Sequence, residues 1–405
     1  MWKRKDFTRL WGGETIEWVT DGITALALPT LAIKLFDAGS LEMGVLWALT
    51  YVAFPVLGPY AGVMVDRWRR KTVLVGTNII QVAALGSIPV AFLLGRLNLL
   101  QLVLVALVMS ITSVFFAIAY QAYLPTLISR DDLVEGNSKL EVSSSAANVV
   151  GPSIAGGLYE LFGPLSVAVD AFGTLLAAMM ILSIKKPEPP LLVEKNRRFW
   201  HELKVGVRVV SGTPTLLSLA ACTSILNFGV GMFMPAFYLF IYNRLMFSAW
   251  QAGIVLGVGG LGFIVGALAS PYLLRRLGLG VVLAVGLVIN GFGLLSIQAS
   301  VLGHTMIMLV ILWFLSNIGS PMYNINQVSY RQTIVDDAVQ GRMNATMRTF
   351  GNGAVVLGAL FGGILGLQYG FSSTMTAGAL ISLIPVLLAW FGPLGRLREI
   401  QPSSR

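Results

Sequence analysis

Gly62-Val63-Met64-Val65-Asp66-Arg67-Trp68-Arg69-Arg70-Lys71 stands between one apolar run, 43–65, and another, 72–94. Each run is long enough to cross a bilayer, which takes about 20 apolar residues. The decapeptide therefore reads as a tight basic turn between two membrane helices. Its four cations within five positions belong on the cytoplasmic side. Gly62 is expected to let a neighbouring backbone come close, and Asp66 is an acid set inside a basic turn.

The rest of the chain has the same character. Of 405 residues, 56% are hydrophobic and 12% charged, against about 25% charged in a soluble domain. Mean hydropathy is +0.77. An all-α polytopic membrane protein follows. The net charge of +9 sits in short loops, where it sets topology and does not suggest nucleic acid. One cysteine, Cys222, excludes a disulfide within the chain. The two histidines, His201 and His304, fall on opposite sides, so no zinc pair is expected. No Gly-Lys-[Ser/Thr] occurs, so no phosphate-binding loop and no ATP drive. No metal, cofactor or enzymatic chemistry is expected, and a monomer suffices.

Twelve spans are expected, at 9–36, 42–65, 72–95, 99–124, 137–161, 165–184, 214–243, 249–274, 279–300, 303–327, 343–369 and 372–392. Odd spans run outward. Lys3, Arg4, Lys5, the 67–71 cluster, Arg130, Lys185, Lys186, Arg275 and Arg276 then lie inside, with only Lys34, Arg96 and Arg244 outside or near it. This bias puts both termini in the cytoplasm. The basic start leads into a run carrying Glu14, Glu17 and Asp21, which suits a working helix better than a cleaved leader.

The spans divide into an N-terminal six-helix bundle, 1–184, a cytoplasmic linker, 185–213, and a C-terminal six-helix bundle, 214–405. In the linker, Arg197 to Val210 places Phe199, Leu203, Val207 and Val210 on one helical face, with Arg197, Arg198, Glu202, Lys204 and Arg208 elsewhere. Such a helix lies on the inner membrane surface among anionic headgroups; the alternative is a plain tether. The halves also repeat. Asp131-Asp132-x-Val134-x-Gly136 matches Asp336-Asp337-x-Val339-x-Gly341 at a separation of 205, and Gly156-Gly157 matches Gly362-Gly363 at 206. Parallel repeats of six spans rock against each other around a midplane site. Where Asp66 stands in the first copy, the second has Ser270-Pro271.

Charge at bilayer depth is costly, about 2.5–3.5 kcal/mol for an Asp at a helix centre on translocon scales. Glu14, Glu17 and Asp21 follow i, i+3, i+7 on the first span and share a face. Asp170 lies in the outer third of the sixth. No Lys or Arg sits mid-span to neutralise them. Proton coupling is expected from Asp21, assisted by Glu17, with Glu14 and Asp170 as further candidates; the alternative is that they only hydrogen-bond between helices. In the fifth span Pro152 removes a backbone hydrogen bond, and Gly151, Gly156 and Gly157 allow close packing at the resulting kink. Polar and aromatic residues inside spans are candidates for a substrate cavity: Trp18, Tyr51, Phe116, Tyr120, Asn227, Phe233, Asn317, Tyr323 and Asn324. Such surfaces suit partly apolar ligands.

Gly62-x-x-x-Asp66-Arg67-x-x-Arg70-Lys71 resembles the loop between the second and third helices of the major facilitator superfamily. Arg69 replaces the usual glycine there. Gly151-Pro152-x-x-x-Gly156-Gly157 is similar to the fifth-helix motif of its drug antiporters, with one extra residue in the spacing. Phe7-Thr-Arg-Leu-Trp11-Gly-Gly-Glu14, Ala27-Leu28-Pro29, Leu124-Pro125-x-Leu127 and Gly341-Arg342 resemble its macrolide-efflux and enterobactin-exporter branch. The resemblance implies a cytoplasmic gate at Gly62, Asp66, Arg67, Arg70 and Lys71. Asp66 would dock near Gly341 to Thr346, at a helix N-terminus whose dipole is positive. It implies a proton-driven exporter of small amphipathic compounds in a bacterial inner membrane. Glu14 and Glu17 depart from that branch and would suit cationic substrates or a different coupling. An importer or lipid flippase, or a non-transporting receptor, are the alternatives, since fold does not fix function.

Overall fold

A computed structural model describes residues 4–129, 132–188, 199–303 and 305–397. Lys3, Arg130, Asp131, Arg197, Arg198 and His304 lie outside the described residues, as do the side chains of Phe199, His201, Glu202 and Leu203. The described chain is almost wholly helical: α1 (Lys5–Phe36), α2 (Ser40–Tyr51), α3 (Ala53–Val65), α4 (Arg70–Leu93), α5 (Leu99–Leu127), α6 (Leu133–Phe162), α7 (Val167–Leu182), α8 (Phe199–Gly212), α9 (Pro214–Leu239), α10 (Ala249–Leu277), α11 (Leu279–Ser296), α12 (Thr305–Ile334) and α13 (Asp337–Phe391).

Among the described residues, ten continuous stretches are long and apolar enough to cross a membrane, two of them of 48 and 53 residues. Each of those two holds a pair of crossings, since one takes about 20 residues. The first pair is divided at Gly163, with φ 55°, where a 3-10 turn joins α6 to α7. The second is divided at Gly370, with φ 79° and ψ 162°, inside α13. A backbone at positive φ suits glycine, which has no Cβ to clash. The expected twelve spans result, the second made of α2 and α3 around Val52. Large apolar side chains on outer faces, such as Leu93, Leu161, Leu268 and Leu357, are more than half exposed; lipid is the medium that suits them.

The chain forms two compact units. The first comprises Met1–Asp37, Val56–Arg197 and Ser248–Gly257. In it α1 packs on α6 and α7, and α4 on α5 and α7. Its core holds Phe7, Leu10, Leu74, Tyr123, Leu127 and Ile181. Where α1 crosses α6, a Cβ on Gly22 would stand 2.8 Å from the Gly151 Cα. Where α6 meets the start of α10, a Cβ on Gly156 would stand 2.5 Å from the Ala249 carbonyl and one on Gly253 2.5 Å from the Pro152 carbonyl. The fifth-span glycines thus serve close backbone approach on two faces. Glu160 accepts the Ala249 N–H (3.1 Å) at the start of α10.

The second unit comprises Ala38–Pro55, Arg198–Phe247 and Val258–Arg405. Here α13 packs against α9, α2, α8 and α11, and α11 against α12. Its core includes Leu219, Cys222, Leu283, Tyr323, Tyr330 and Met343. Cys222 is buried. Ser270, at the place matching Asp66, is buried and accepts from the Asn326 amide (2.7 Å).

One edge of the linker helix α8, expected as a surface helix or a tether, packs on protein. A Cβ on Gly206 would meet Thr346 Oγ1 at 2.3 Å and the Arg342 carbonyl at 2.6 Å, so α8 lies hard against the start of α13. Val210 is 2% exposed and joins the protein core. That edge of α8 covers protein and not lipid, because glycine at 206 lets the two backbones meet.

Candidate functional site

The basic turn closes with hydrogen bonds from Asp66 N–H to the Gly62 carbonyl (3.1 Å) and Arg67 N–H to the Met64 carbonyl (3.0 Å). Arg69 then adopts extended backbone and α4 begins at Arg70. Glu188 accepts the N–H groups of Arg70 and Lys71, both at 2.8 Å, placing a carboxylate at the positive end of α4. Lys71 Nζ donates to the carbonyls of Leu182 (2.8 Å) and Ile184 (2.7 Å) at the end of α7. The first residues of the linker are therefore tied to the first unit, and Asp6 adds bonds from the N–H groups of Lys185 and Lys186. The expectation for Gly62 is corrected: a Cβ there would meet nothing within 4 Å. Spacing alone could not tell a glycine in contact from one facing open space. The Gly341–Thr346 stretch, read as the docking place for Asp66, has Gly206 pressed against Arg342 and Thr346.

The four acids of α1 and α7 come together in the first unit. Glu14 is 1% exposed, Glu17 5% and Asp170 0%. They act on one another electrostatically, Glu14 with Asp21, Glu17 with Glu14 and Asp170, and Asp21 with Asp170 and Glu17. Asp170 lies in the first turn of α7 and accepts the Thr24 hydroxyl. Glu17 accepts from the Asn78 amide (3.0 Å) on α4. Glu14 Oε1, Asn78 Oδ1, Gln81 Oε1 and Asp170 Oδ1 are buried without a hydrogen-bond partner. Of these, only the two carboxylate oxygens could take up a proton; the amide oxygens are acceptors only, and Thr174 Oγ1, also buried and unpaired, is a hydroxyl that can donate. Asp21 differs from its neighbours: it is only partly buried and lines a cavity of about 210 Å³ with Trp18, Gly22, Ala25, Ser144, Ala147, Asn148 and Pro152.

A larger cavity, about 610 Å³, adjoins it along α6, lined by Trp18, Tyr120, Asn137, Ser138, Leu140, Glu141, Val142 and Ser144. Its volume is that of a drug-sized ligand site, about 300–1,000 Å³. Of the aromatic and amide residues expected to line a cavity, Trp18 and Tyr120 do so. Phe116 stacks beneath Tyr120 at 6.2 Å. The others expected there lie in the second unit and are corrected in part. Phe233 is wholly buried and stacks on Phe237 at 5.6 Å. Tyr323 is 1% exposed, its hydroxyl 2.8 Å from Thr223. Both are packing residues: aromatic identity alone does not separate core from cavity. Tyr51 packs on Trp47 (5.9 Å), Asn317 donates to the Trp313 carbonyl (2.7 Å), and Asn324 donates to Ser320 (3.4 Å). Asn227 sits beside Gly351, 3.1 Å from where a Cβ would stand.

Three buried or cavity-lining polar side chains are missed by sequence reasoning. Glu141 gives no clear signal, because it lies near the start of its span. Asn78 and Gln81 carry a readable one, two amides three apart in an otherwise apolar run, hence on one helix face. Among the described residues no group of three or more His, Cys, Asp or Glu is arranged to hold a metal ion.

Apolar spans surround a buried acidic cluster, beside which no cation stands among the described residues, and an organic-sized cavity; this is the build of a multi-pass membrane transporter. The family model of the Major Facilitator Superfamily matches residues 10–297 and 219–404, and the chain belongs to that superfamily. It is 28% identical over 244 residues to macrolide efflux protein A of Streptococcus pyogenes, covering 59% of this chain and 58% of that relative. The match thus spans under two thirds of that protein's length. Enterobactin exporter EntS of Escherichia coli O127:H6 is 26% identical over 406 residues, covering 95% of this chain and 91% of its own. The fold is that of the nucleoside transporter NupG (TM-score 0.72, 16% identity, 95% and 98% covered) and of a bacterial homologue of the iron transporter ferroportin in an inward-facing state (TM-score 0.74, 17% identity, 95% and 98% covered).

Proposed function

We propose that the protein is a proton-coupled exporter of small amphipathic compounds, macrolide-like drugs or siderophores, working by alternating access between two pseudo-symmetric six-helix bundles. It works as a monomer in a bacterial inner membrane, with both termini cytoplasmic, and confers antibiotic resistance where a drug is the cargo. The observation that carries the reading is Asp21, which lines a cavity from within an apolar span while Glu14, Glu17 and Asp170 are buried near it with no cation beside them among the described residues. A carboxyl so placed can meet a proton or a substrate from the cavity and pass the change in charge to the buried acids. Asp66 and its basic turn form the cytoplasmic latch, and protonation shifts a balance of a few kcal/mol between two states. Names of the relatives support efflux, and the excess of Lys and Arg in the expected inner loops supports the orientation.

Inverted vesicles with an imposed pH gradient test this. Wild-type protein should accumulate a macrolide or a siderophore in the direction that corresponds to export, and Asp21→Asn should abolish the dependence on the gradient. Uptake by Asp21→Asn that still follows the gradient with unchanged stoichiometry would refute the role of Asp21; flux in the opposite direction would make the protein an importer.

A further inference from the structure

The coupling scheme leaves the larger cavity and its acid unused. Residues 137, 141, 144 and 148 fall on one face of α6, so the two cavities lie along a single stripe of that helix. Glu141 is exposed and has no hydrogen bond or ion pair among the described residues. Neither cavity is lined by Lys, Arg or His. The nearest cation in sequence, Lys139, is paired with Glu135 (2.7 Å). The rings of Trp18 and Tyr120 line the same cavity as Glu141, and Leu140 and Val142 add apolar wall. The Tyr120 hydroxyl is buried without a partner. A carboxylate facing aromatic surface, with neutral polar groups at the margin, is the chemistry that holds an organic cation: charge on the acid, ring faces for the cationic or apolar body.

The smaller cavity adds a second point. At about 210 Å³ it is below the range of drug-sized sites. Trp18 and Ser144 line both cavities. The indole is therefore common to the cavity that holds Glu141 and the cavity that holds Asp21.

We propose that the 610 Å³ cavity binds a monovalent lipophilic organic cation on Glu141, Trp18 and Tyr120, and that displacement of Trp18 opens the way from Glu141 to Asp21. Cargo then first meets Glu141 and reaches Asp21, where proton and substrate compete, only after Trp18 has moved. The proposal rests on the exporter reading for the direction of movement alone.

Equilibrium binding of radiolabelled tetraphenylphosphonium to the purified full chain in nanodiscs, with no gradient, tests it; neutral triphenylphosphine oxide is the comparison probe. Wild type should bind the cation saturably. Glu141→Gln should weaken cation binding tenfold or more without weakening the neutral probe, and Glu141→Asp should restore it to within about threefold. Equal cation affinity in wild type and Glu141→Gln overturns the proposal, as does absence of saturable binding to wild type. Loss from both probes together in Glu141→Gln, with Glu141→Asp no better, overturns it too, since the charge would not be what is recognised. Cation binding that needs Glu141, in a protein showing no gradient-driven flux, would defeat the exporter reading and leave this site standing.

Discussion

Glycines 156 and 253 make a sharp test of the first unit's packing. A Cβ at 156 would stand 2.5 Å from the Ala249 carbonyl oxygen, 3.0 Å from the Gly253 Cα and 3.1 Å from the Trp250 Cα. One at 253 would stand 2.5 Å from the Pro152 carbonyl and 2.9 Å from the Gly156 Cα. Every neighbour named is backbone, so no rotamer change makes room. Ordinary carbon contacts are about 3.5–4.0 Å, and the helices must part by most of an ångström. Overpacking of this kind costs about 1–3 kcal/mol, so Gly156→Ala and Gly253→Ala should each lower the melting temperature of the purified protein. The pair should be strongly non-additive, because the separation forced by the first methyl accommodates the second. Gly76→Ala and Gly86→Ala are the controls: nothing lies within 4 Å of either added Cβ, so neither should lower it. Thermal unfolding monitored by intrinsic fluorescence reads all five variants. Melting of Gly156→Ala and Gly253→Ala at the wild-type temperature would refute this backbone-to-backbone contact between α6 and α10.

Gly62→Ala should leave stability unchanged, since the added methyl meets open space; if the turn docks closely in another state of the cycle, transport should fall, and unchanged turnover would remove Gly62 from the gate. Glu188→Ala should cost about 0.5–2 kcal/mol, the usual worth of an N-terminal cap, with Glu188→Gln milder; faster amide exchange at Arg70 and Lys71 would report it. Asn78→Leu should destabilise by about 1–3 kcal/mol by leaving buried Glu17 without its donor, and Glu17→Leu in the same chain should recover much of that loss in a melting experiment. Tyr323→Phe should cost about 1 kcal/mol through the lost Thr223 bond and leave substrate affinity as it was; weaker substrate binding would return Tyr323 to the cavity.

The spans were legible because each apolar run must be about 20 residues long, whatever its neighbours. Breaks at Gly163 and Gly370 could be placed because short polar or glycine-bearing stretches separate the runs. The i, i+3, i+7 spacing of Glu14, Glu17 and Asp21 gave their shared face from helix geometry alone. What it could not give was exposure: Asp21 faces a cavity and the other two do not, a difference made by α6 and α4. Pairing of Glu17 with Asn78 is likewise tertiary. The aromatic candidates divided between cavity and core for the same reason, since Trp18 and Phe233 are both large aromatic side chains and differ in what covers them. In the linker, amphipathicity showed that one side of α8 must be covered, and only the close approach at Gly206 shows that α13 covers part of it.

Simultaneous recording of protons and cargo tests the central claim most directly. In proteoliposomes holding a pH-sensitive dye, addition of substrate to wild-type protein should move protons opposite to the cargo, in fixed ratio. In Asp21→Asn proton movement should vanish while any residual cargo flux runs only down its own gradient. Proton counterflow of wild-type size in Asp21→Asn, or cargo pumped uphill by wild type with no proton movement at all, would contradict it.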